Sequence, residues 1–465
     1  MNPATLTSTA APLAQDKTVS RLRVDLRKVT VAWLFGSIFF ATLGSVVMVR
    51  FATVLELGNF GFAVLSALPH VATLLSLPSS VLIDRTGAVK LIFMIAIYAQ
   101  RFAFLLMAVL PVLLISNGIA SPVTVGLWVV LPLFAVINLA TALGIPSWVS
   151  WMADLVPPRI NGRFFAQRSQ WGLVSAAPVT LLAGVALDYF APEAATAVQV
   201  LYVCSGIFLV VALIGLVDVF LYQKIRYRPL IPGSGTAPLL STLVAPLKSR
   251  RFMLFTMAAM VITLATAPMA LFTQKFLFER TQSSSVTVQM MLIVVPMVAQ
   301  FIAFPFVGRL GDRYGIGPLV IFGAIGMVPA GAGWLLVGQG TVWIGYPLGV
   351  IGAVVGTALE IANLKLLMEF AGSRNNENEG GSASGFAAVN HVVVSIGGIV
   401  GSFGAGYLLH RLDGHTIHLS SSLQLGDYDV LFLLSTLLRV AAMGAVLLLL
   451  RQKSASLQKR TTPTL

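Results

Sequence analysis

Apolar runs of roughly twenty residues recur along the whole chain, separated by short clusters of glycine, proline and charge. A run of that length is what an α-helix needs to cross the hydrocarbon core of a bilayer. Ten-residue segments of strict alternation, the mark of a transmembrane barrel, are not found. Unsatisfied backbone groups in lipid cost several kcal/mol each, so the bilayer itself selects the helix. Windows of about nineteen residues predict six helices near 30–54, 61–82, 89–112, 123–147, 169–189 and 197–222. Six more are predicted near 252–273, 286–307, 317–338, 342–368, 386–409 and 429–450. The stretch 223–251 carries no convincing span, and its prolines, Gly233 and Gly235 mark a linker. The predicted organisation is a basic N-terminal segment (1–29), a first bundle (30–222), the linker (223–251), a second bundle (252–450) and a tail (451–465).

Composition sharpens this picture. The chain is 57% hydrophobic and 10% charged, with a mean hydropathy of +0.89, whereas soluble domains run nearer a quarter charged. A formal charge of +13 would suggest nucleic acid in a soluble protein. Here it reflects the Lys and Arg excess that holds loops on the cytoplasmic side. Under the helix count, 23 basic residues fall on one side and only Arg50, Lys275, Arg280 and Arg411 on the other. Both termini are therefore expected to be cytoplasmic. Residues 1–29 lack an apolar core followed by a small-residue cleavage site, so no removable signal peptide is expected. Between Asp16 and Lys28, Val19, Leu22 and Leu26 share one helical face among basic neighbours, which suits either a short helix on the inner leaflet or a flexible tail. Cys204 stands alone and can form no intrachain disulfide. Trp128, Trp148, Trp151 and Trp343 fall near predicted helix ends, where interfacial anchors belong.

The two halves echo each other. DRTG (84–87) and DRYG (312–315) each follow the second helix of a half. TALGI (141–145) and TALEI (357–361) lie in the fourth, 216 positions apart, and AGVAL (183–187) and AGYLL (405–409) in the fifth, 222 apart. Parallel repeats of this kind imply two bundles related by an axis along the membrane normal. Turns between such helices need glycine for close approach, an aspartate that can cap helix amides, and arginine to hold the inner face.

The turn GRLGDRYG resembles the G-x-L-x-D-[RK]-x-G signature of the major facilitator superfamily. Gly308, Leu310, Asp312, Arg313 and Gly315 match it position by position, and the first copy keeps Leu82, Asp84, Arg85 and Gly87 with Ser80 for the leading glycine. Ala88 and Ile316 stand where the family usually carries a basic residue. The segment 152–168, MADLVPPRINGRFFAQR, resembles the P-x-x-R-G-R loop of many bacterial members. The resemblance extends from about residue 30 to the end. It implies an all-α membrane protein with twelve transmembrane helices in two pseudo-symmetric six-helix bundles. It further implies a monomeric secondary transporter of the bacterial inner membrane, without cofactor, moving a small solute by alternating access. The turns would then steady one bundle on the other, with Asp84 near Ser384 and Gly385, and Asp312 near Arg163 and Arg168.

A charge at the bilayer centre costs about 2.5–3.5 kcal/mol on insertion scales, so each intramembrane charge calls for a reason. Glu360 shares a helix face with Asn363, and Asn390 with His391 lies at similar depth on the eleventh helix. Both helices face the central cavity in the family. A carboxylate, amides and an imidazole there can bind a polar solute or carry a proton, which makes the proton a candidate coupling ion. Alternatively, Glu360 pairs with a base and only holds helices together. Arg50 is a candidate for meeting an anionic solute, and Asn138 and Gln300 are candidate lining residues, although lone amides often bridge helices. Arg101 and Arg439 sit mid-helix on helices that are peripheral in the family, where pairing inside a bundle is expected; Asp218 and Arg439 correspond across the repeat. Gly397, Gly398, Gly401, Gly404 and Gly406 permit close contact along the eleventh helix. There is no G-x-x-x-x-G-K-[ST] loop for ATP. His410, His415 and His418 have no acidic cluster or cysteine beside them and read as an ordinary loop, so no metal site is expected. Without a nucleophile–base pair in the helices, an enzyme is not expected either. The alternative to transport is a membrane scaffold or sensor of the same fold with an occluded core.

Overall fold

Cut off from water, the apolar runs satisfy their backbone internally and form helices. The computed structural model describes residues 10–157, 160–192, 194–227, 247–372, 383–413, 415, 417–418 and 424–461. Twelve crossings are seen among them. In the first half, α1 is Ala10–Leu43 continued by Val46–Val54, α2 is Gly58–Thr73 with Ser76–Thr86, and α3 is Val89–Ser116. Next, α4 runs from Pro122–Val125 through a π turn, Gly126–Val130, into Leu131–Leu155; α5 is Asn161–Phe190 and α6 Ala197–Gln223. In the second half, α7 is Arg250–Thr266 with Met269–Glu279, and α8 joins Ser285–Gln289, a π turn Met290–Val294 and Val295–Tyr314. The rest are α9 (Ile316–Ala332), α10 (Gly345–Gly372), α11 (Ala383–Leu412) and α12 (Asp427–Thr461). A two-residue antiparallel pair, Ile417–His418 with Gln424–Leu425, precedes α12.

Eleven of these crossings are long and apolar enough to span a membrane unaided. The twelfth, α2, is divided at Leu74 and Leu75 into pieces of 16 and 11 residues. Pro78 explains the division, because it offers no donor to the Leu74 carbonyl and its ring crowds that position. Each π turn ends just before a proline, Pro132 or Pro296, and the wider turn absorbs the missing donor. The N-terminal segment also differs from expectation. Helix α1 is continuous from Ala10, and Asp25, only 6% exposed, pairs with Lys28 at 3.3 Å. Lys28 also donates to the Lys224 carbonyl at 3.2 Å, so this stretch packs against the end of α6 and is neither a separate surface helix nor a tail.

The breaks in α1 and α7 are repeat-equivalent: Gly44 and Ala267 stand 223 positions apart. Each half bonds the backbone groups freed in the other. Gln274 Nε2 of α7 donates to the Gly44 carbonyl at 3.0 Å, and the Val46 N–H donates to Gln289 Oε1 of α8 at 3.2 Å. In return, Ser66 Oγ of α2 donates to the Ala267 carbonyl at 3.2 Å. Discontinuous helices are tolerated at membrane depth on this condition, that protein groups satisfy the opened backbone.

Among the described residues, the same end of the molecule carries the other bonds that bridge the halves. Ser66 and Ser402 hydroxyls lie 2.9 Å apart, and Lys275 donates to Asn59. The Asp188 carboxylate at the end of α5 accepts from the Ser285 and Val286 amides at 2.7 and 2.8 Å, capping α8. Gly398 and Gly406 of α11 press on His70, Asn59 and Ala63 of α2, while Gly397 and Gly401 lie against the Met260 and Leu264 carbonyls of α7. A Cβ at any of these four would collide, so α11 can be this close to both neighbours only through its glycines.

The apolar core has the same asymmetry. At this sealed end one continuous cluster joins Phe39, Phe51, Phe104 and Phe208 of the first half to Phe272, Leu277, Met291 and Phe432 of the second. At the opposite end, which carries the DRTG and DRYG turns, the core is two separate clusters. Val29, Phe93, Trp151 and Tyr222 belong to one, and Phe252, Leu319, Phe386 and Val446 to the other. The halves are fused at one end and parted at the motif end.

Within the turns, Gly87 has φ +61° and Gly315 φ +81°, conformations that favour glycine. Arg85 and Arg313 are exposed, and Gly308 is half-buried. The side chains of Asp84, Asp312, Arg163 and Ser384, and residues 228–246 of the linker, lie outside the described residues. Trp128 and Trp343 are 77% and 66% exposed, as anchors should be. Trp151 (1% exposed) and the half-buried Trp148 instead turn inward.

Candidate functional site: two equivalent cavities at the motif end

The second half encloses a cavity of about 310 Å³ in which α10 and α11 place Glu360, Asn363, Asn390 and His391 together against Phe255, Ile262 and Thr263 of α7. Glu360 and His391 are exposed to it. Asn390 is 3% exposed and accepts from the Thr256 hydroxyl at 3.4 Å, while Asn363 Oδ1 is buried without a partner. No described base stands within ion-pair reach of Glu360, so the alternative of a purely structural pair lacks a partner among the described residues. A carboxylate in such a wall calls for a proton or a cationic or hydrogen-bonding solute.

The repeat carries this cavity onto the first half. His391 lies 223 positions after Arg168, and Glu360 and Thr357 lie 216 after Gly144 and Thr141. Arg168, Gly144 and Thr141 line a cavity of about 360 Å³ with Trp33 of α1, Phe93 of α3, Trp148 of α4, and Asp218 and Tyr222 of α6. Arg168 is 8% exposed, its guanidinium 3.9 Å from the ring centroid of Trp33 and 4.3 Å from that of Trp148. Gly172, one turn on, leaves room for the Trp33 indole. In this conformation two cation–π contacts hold Arg168 inward, against the cavity wall. Trp33 and this cavity were not foreseen. The signal that finds them is the repeat offset, which puts Arg168 in the place of His391.

Deeper in the first half, Arg101 and Asp218 form an ion pair with both side chains 2% exposed, and the guanidinium lies 3.7 Å from the Phe39 ring centroid. Arg439 has no such acid beside it among the described residues. It donates from Nη1 to the Met327 carbonyl at 3.1 Å and lines a cavity of about 580 Å³ with Thr266 and Gln274 of α7. The remaining candidates lie elsewhere. Arg50 belongs to the seal, donating to the Ala191 carbonyl at 3.4 Å and lying 5.2 Å from the Phe278 ring centroid, beside Asp188. Asn138 is bonded to its own helix through the Phe134 carbonyl at 2.8 Å, and Gln300 on α8 lines neither cavity.

Twelve crossings in two repeated bundles, joined at one end and enclosing equivalent cavities at the other, are the architecture that the resemblance to the major facilitator superfamily implies. Among solved structures the chain is similar to a mutant form of the nucleoside transporter NupG, at 12% identity and a TM-score of 0.66, over 92% of this chain and 99% of that one. It is similar to a bacterial homolog of the human lysosomal transporter Spinster in an inward-facing, unoccupied conformation, at 15% identity and a TM-score of 0.63, over 93% and 97%. A peptide-bound POT family transporter aligns at 11% identity and a TM-score of 0.66, over 92% and 96%. At these identities the likeness establishes the fold. No family model and no curated protein sequence matches the chain.

Proposed function

We propose that this protein is a secondary transporter that carries a small solute across a cell membrane by alternating access, with the halves 30–222 and 252–450 as the moving bodies. The observation that carries this reading is the division of the core: one apolar cluster seals the halves at one end, and two separate clusters part them at the other. The bias of Lys and Arg assigns the motif end and both termini to the cytoplasm, which makes this conformation inward-open. The transporters similar in fold support the same class of activity. In the opposite state the Asp84 and Asp312 turns would latch the parted ends, while the seal built on Ser66, Gln274 and Gln289 would open and its backbone groups would meet water.

Glu360 is the proposed protonation site. Its carboxylate faces the cavity without a counter-ion among the described residues, so a proton taken up there would make the wall neutral and return would be easier in that form. In proteoliposomes, with a solute identified by thermal-shift screening, Glu360→Gln should lower uptake driven by a pH gradient at least about tenfold while solute counterflow persists. Undiminished pH-driven uptake would remove Glu360 from coupling.

A further inference from the structure

We infer that the first-half cavity is a binding subsite for the anionic end of an organic acid with a flat apolar body. The polar atoms left unbonded around it are of one kind. Nε1 of Trp33, which packs beside Gly172, Nε1 of Trp148, Nε of Arg168 and Nη1 of Arg101 are buried, lack a hydrogen-bond partner among the described residues, and belong to residues lining the same cavity. Indole and guanidinium N–H groups only donate. Two of the acceptors nearby are already engaged. Asp218, the one acid in the wall among the described residues, is bonded to Arg101. Thr141 Oγ1 accepts from Gln100 at 2.5 Å and donates to the Ile137 carbonyl at 2.7 Å. The Tyr222 hydroxyl is a further acceptor that interacts with the Arg168 and Trp148 side chains, although neither Arg168 Nε nor Trp148 Nε1 reaches a partner in full hydrogen-bond geometry.

A water molecule can satisfy one such N–H, but it cannot neutralise Arg168, a cation 8% exposed with no carboxylate paired to it among the described residues. A carboxylate, sulfonate or phosphate does both, since it accepts several donors and supplies the charge. The rest of the wall fits an aromatic or similarly flat body: two indoles, Phe93 and Ile97 around about 360 Å³, the lower end of the range for small-molecule sites. The equivalent cavity of the other half is acidic and amide-lined, so the repeated sites have diverged to opposite polarity. This inference rests on the transport reading in one respect: closure at the motif end would bring the far end of the bound acid toward Glu360.

The test is an equilibrium titration of the full-length protein in phosphatidylcholine nanodiscs, following quenching of tryptophan fluorescence by para-nitrobenzoate and by its uncharged methyl ester. The acid should bind at least about tenfold more tightly than the ester, and Arg168→Gln should abolish that preference. Trp148→Phe keeps a ring and loses the N–H; it should weaken the acid about three- to fivefold and leave the ester unchanged. Should Arg168→Gln fail to fold, Trp148→Phe and Trp33→Phe carry the test. Equal affinities for acid and ester, or acid binding indifferent to these substitutions, would overturn the assignment. Phosphatidylglycerol shares the acceptor chemistry. If adding it to the discs displaces the acid, the site belongs to a lipid headgroup and the solute assignment is overturned; no displacement upholds it. The titration reads occupancy without flux, so its failure is separate from failure of pH-driven uptake.

Discussion

Asp218→Ala is expected to destabilise the folded protein by about 3–5 kcal/mol, the usual consequence of removing one partner from a buried ion pair. The reason is local. Arg101 and Asp218 are each 2% exposed, and the guanidinium is pressed onto Phe39 with Gly36 and Gly215 packed against the pair. Without Asp218 the cation, 2% exposed and stacked on Phe39, has no counter-ion among the described residues. Replacing both charges at once, as Arg101→Met with Asp218→Leu, should recover most of the loss, because a well-packed apolar pair of similar volume is often neutral. Thermal unfolding in detergent checks both: a large fall for the single variant and near-recovery for the double. A single variant within about 1 kcal/mol of the parent would mean that the pair is hydrated.

The second large effect concerns the seal. Gly398 lies against the His70 ring, and a side chain there would collide with it. That clash exists only while α2 and α11 are in contact, so Gly398→Leu penalises one conformation and not the other. Overpacking of this size costs about 1–3 kcal/mol, equivalent to a shift of roughly 5–150-fold toward the outward-open state. Thr273 is 3% exposed and lies in the α7 segment of the seal. A cysteine in its place should react slowly with an impermeant maleimide applied outside, and much faster once Gly398→Leu is added. Equal rates in a folded variant would show that α2 and α11 do not separate there.

Much of the fold was legible because the bilayer allows so few solutions. Length and hydropathy alone located the helices, and DRTG, TALGI and AGVAL with their partners exposed the duplication. The breaks at Gly44 and Ala267 were not legible, because their freed groups are met by Gln274, Gln289 and Ser66 from distant sequence. The grouping of Glu360 with Asn363, Asn390 and His391 stood out because charge and amides are conspicuous in apolar helices. Its counterpart was hidden for the opposite reason. Trp148 resembles an interfacial anchor, Trp33 an ordinary apolar residue, and Arg168 a basic loop residue; only the fold stacks them. The position of Arg50 near a helix end is compatible with a cavity and with a seal, and in this conformation it lies in the seal.

The central claim is that the two halves rock about each other, and pulsed electron resonance on two spin-labelled pairs tests it most directly. Cys204 is 0% exposed and will not take a label. Exposed positions suit the labels: Asn117 and Gln339 at the sealed end, Gln167 and Arg309 at the motif end, each replaced by cysteine. The account predicts two distance populations for each pair in nanodiscs, with a change of pH lengthening the first pair as it shortens the second. A single unchanging distance for both pairs at every pH would contradict it.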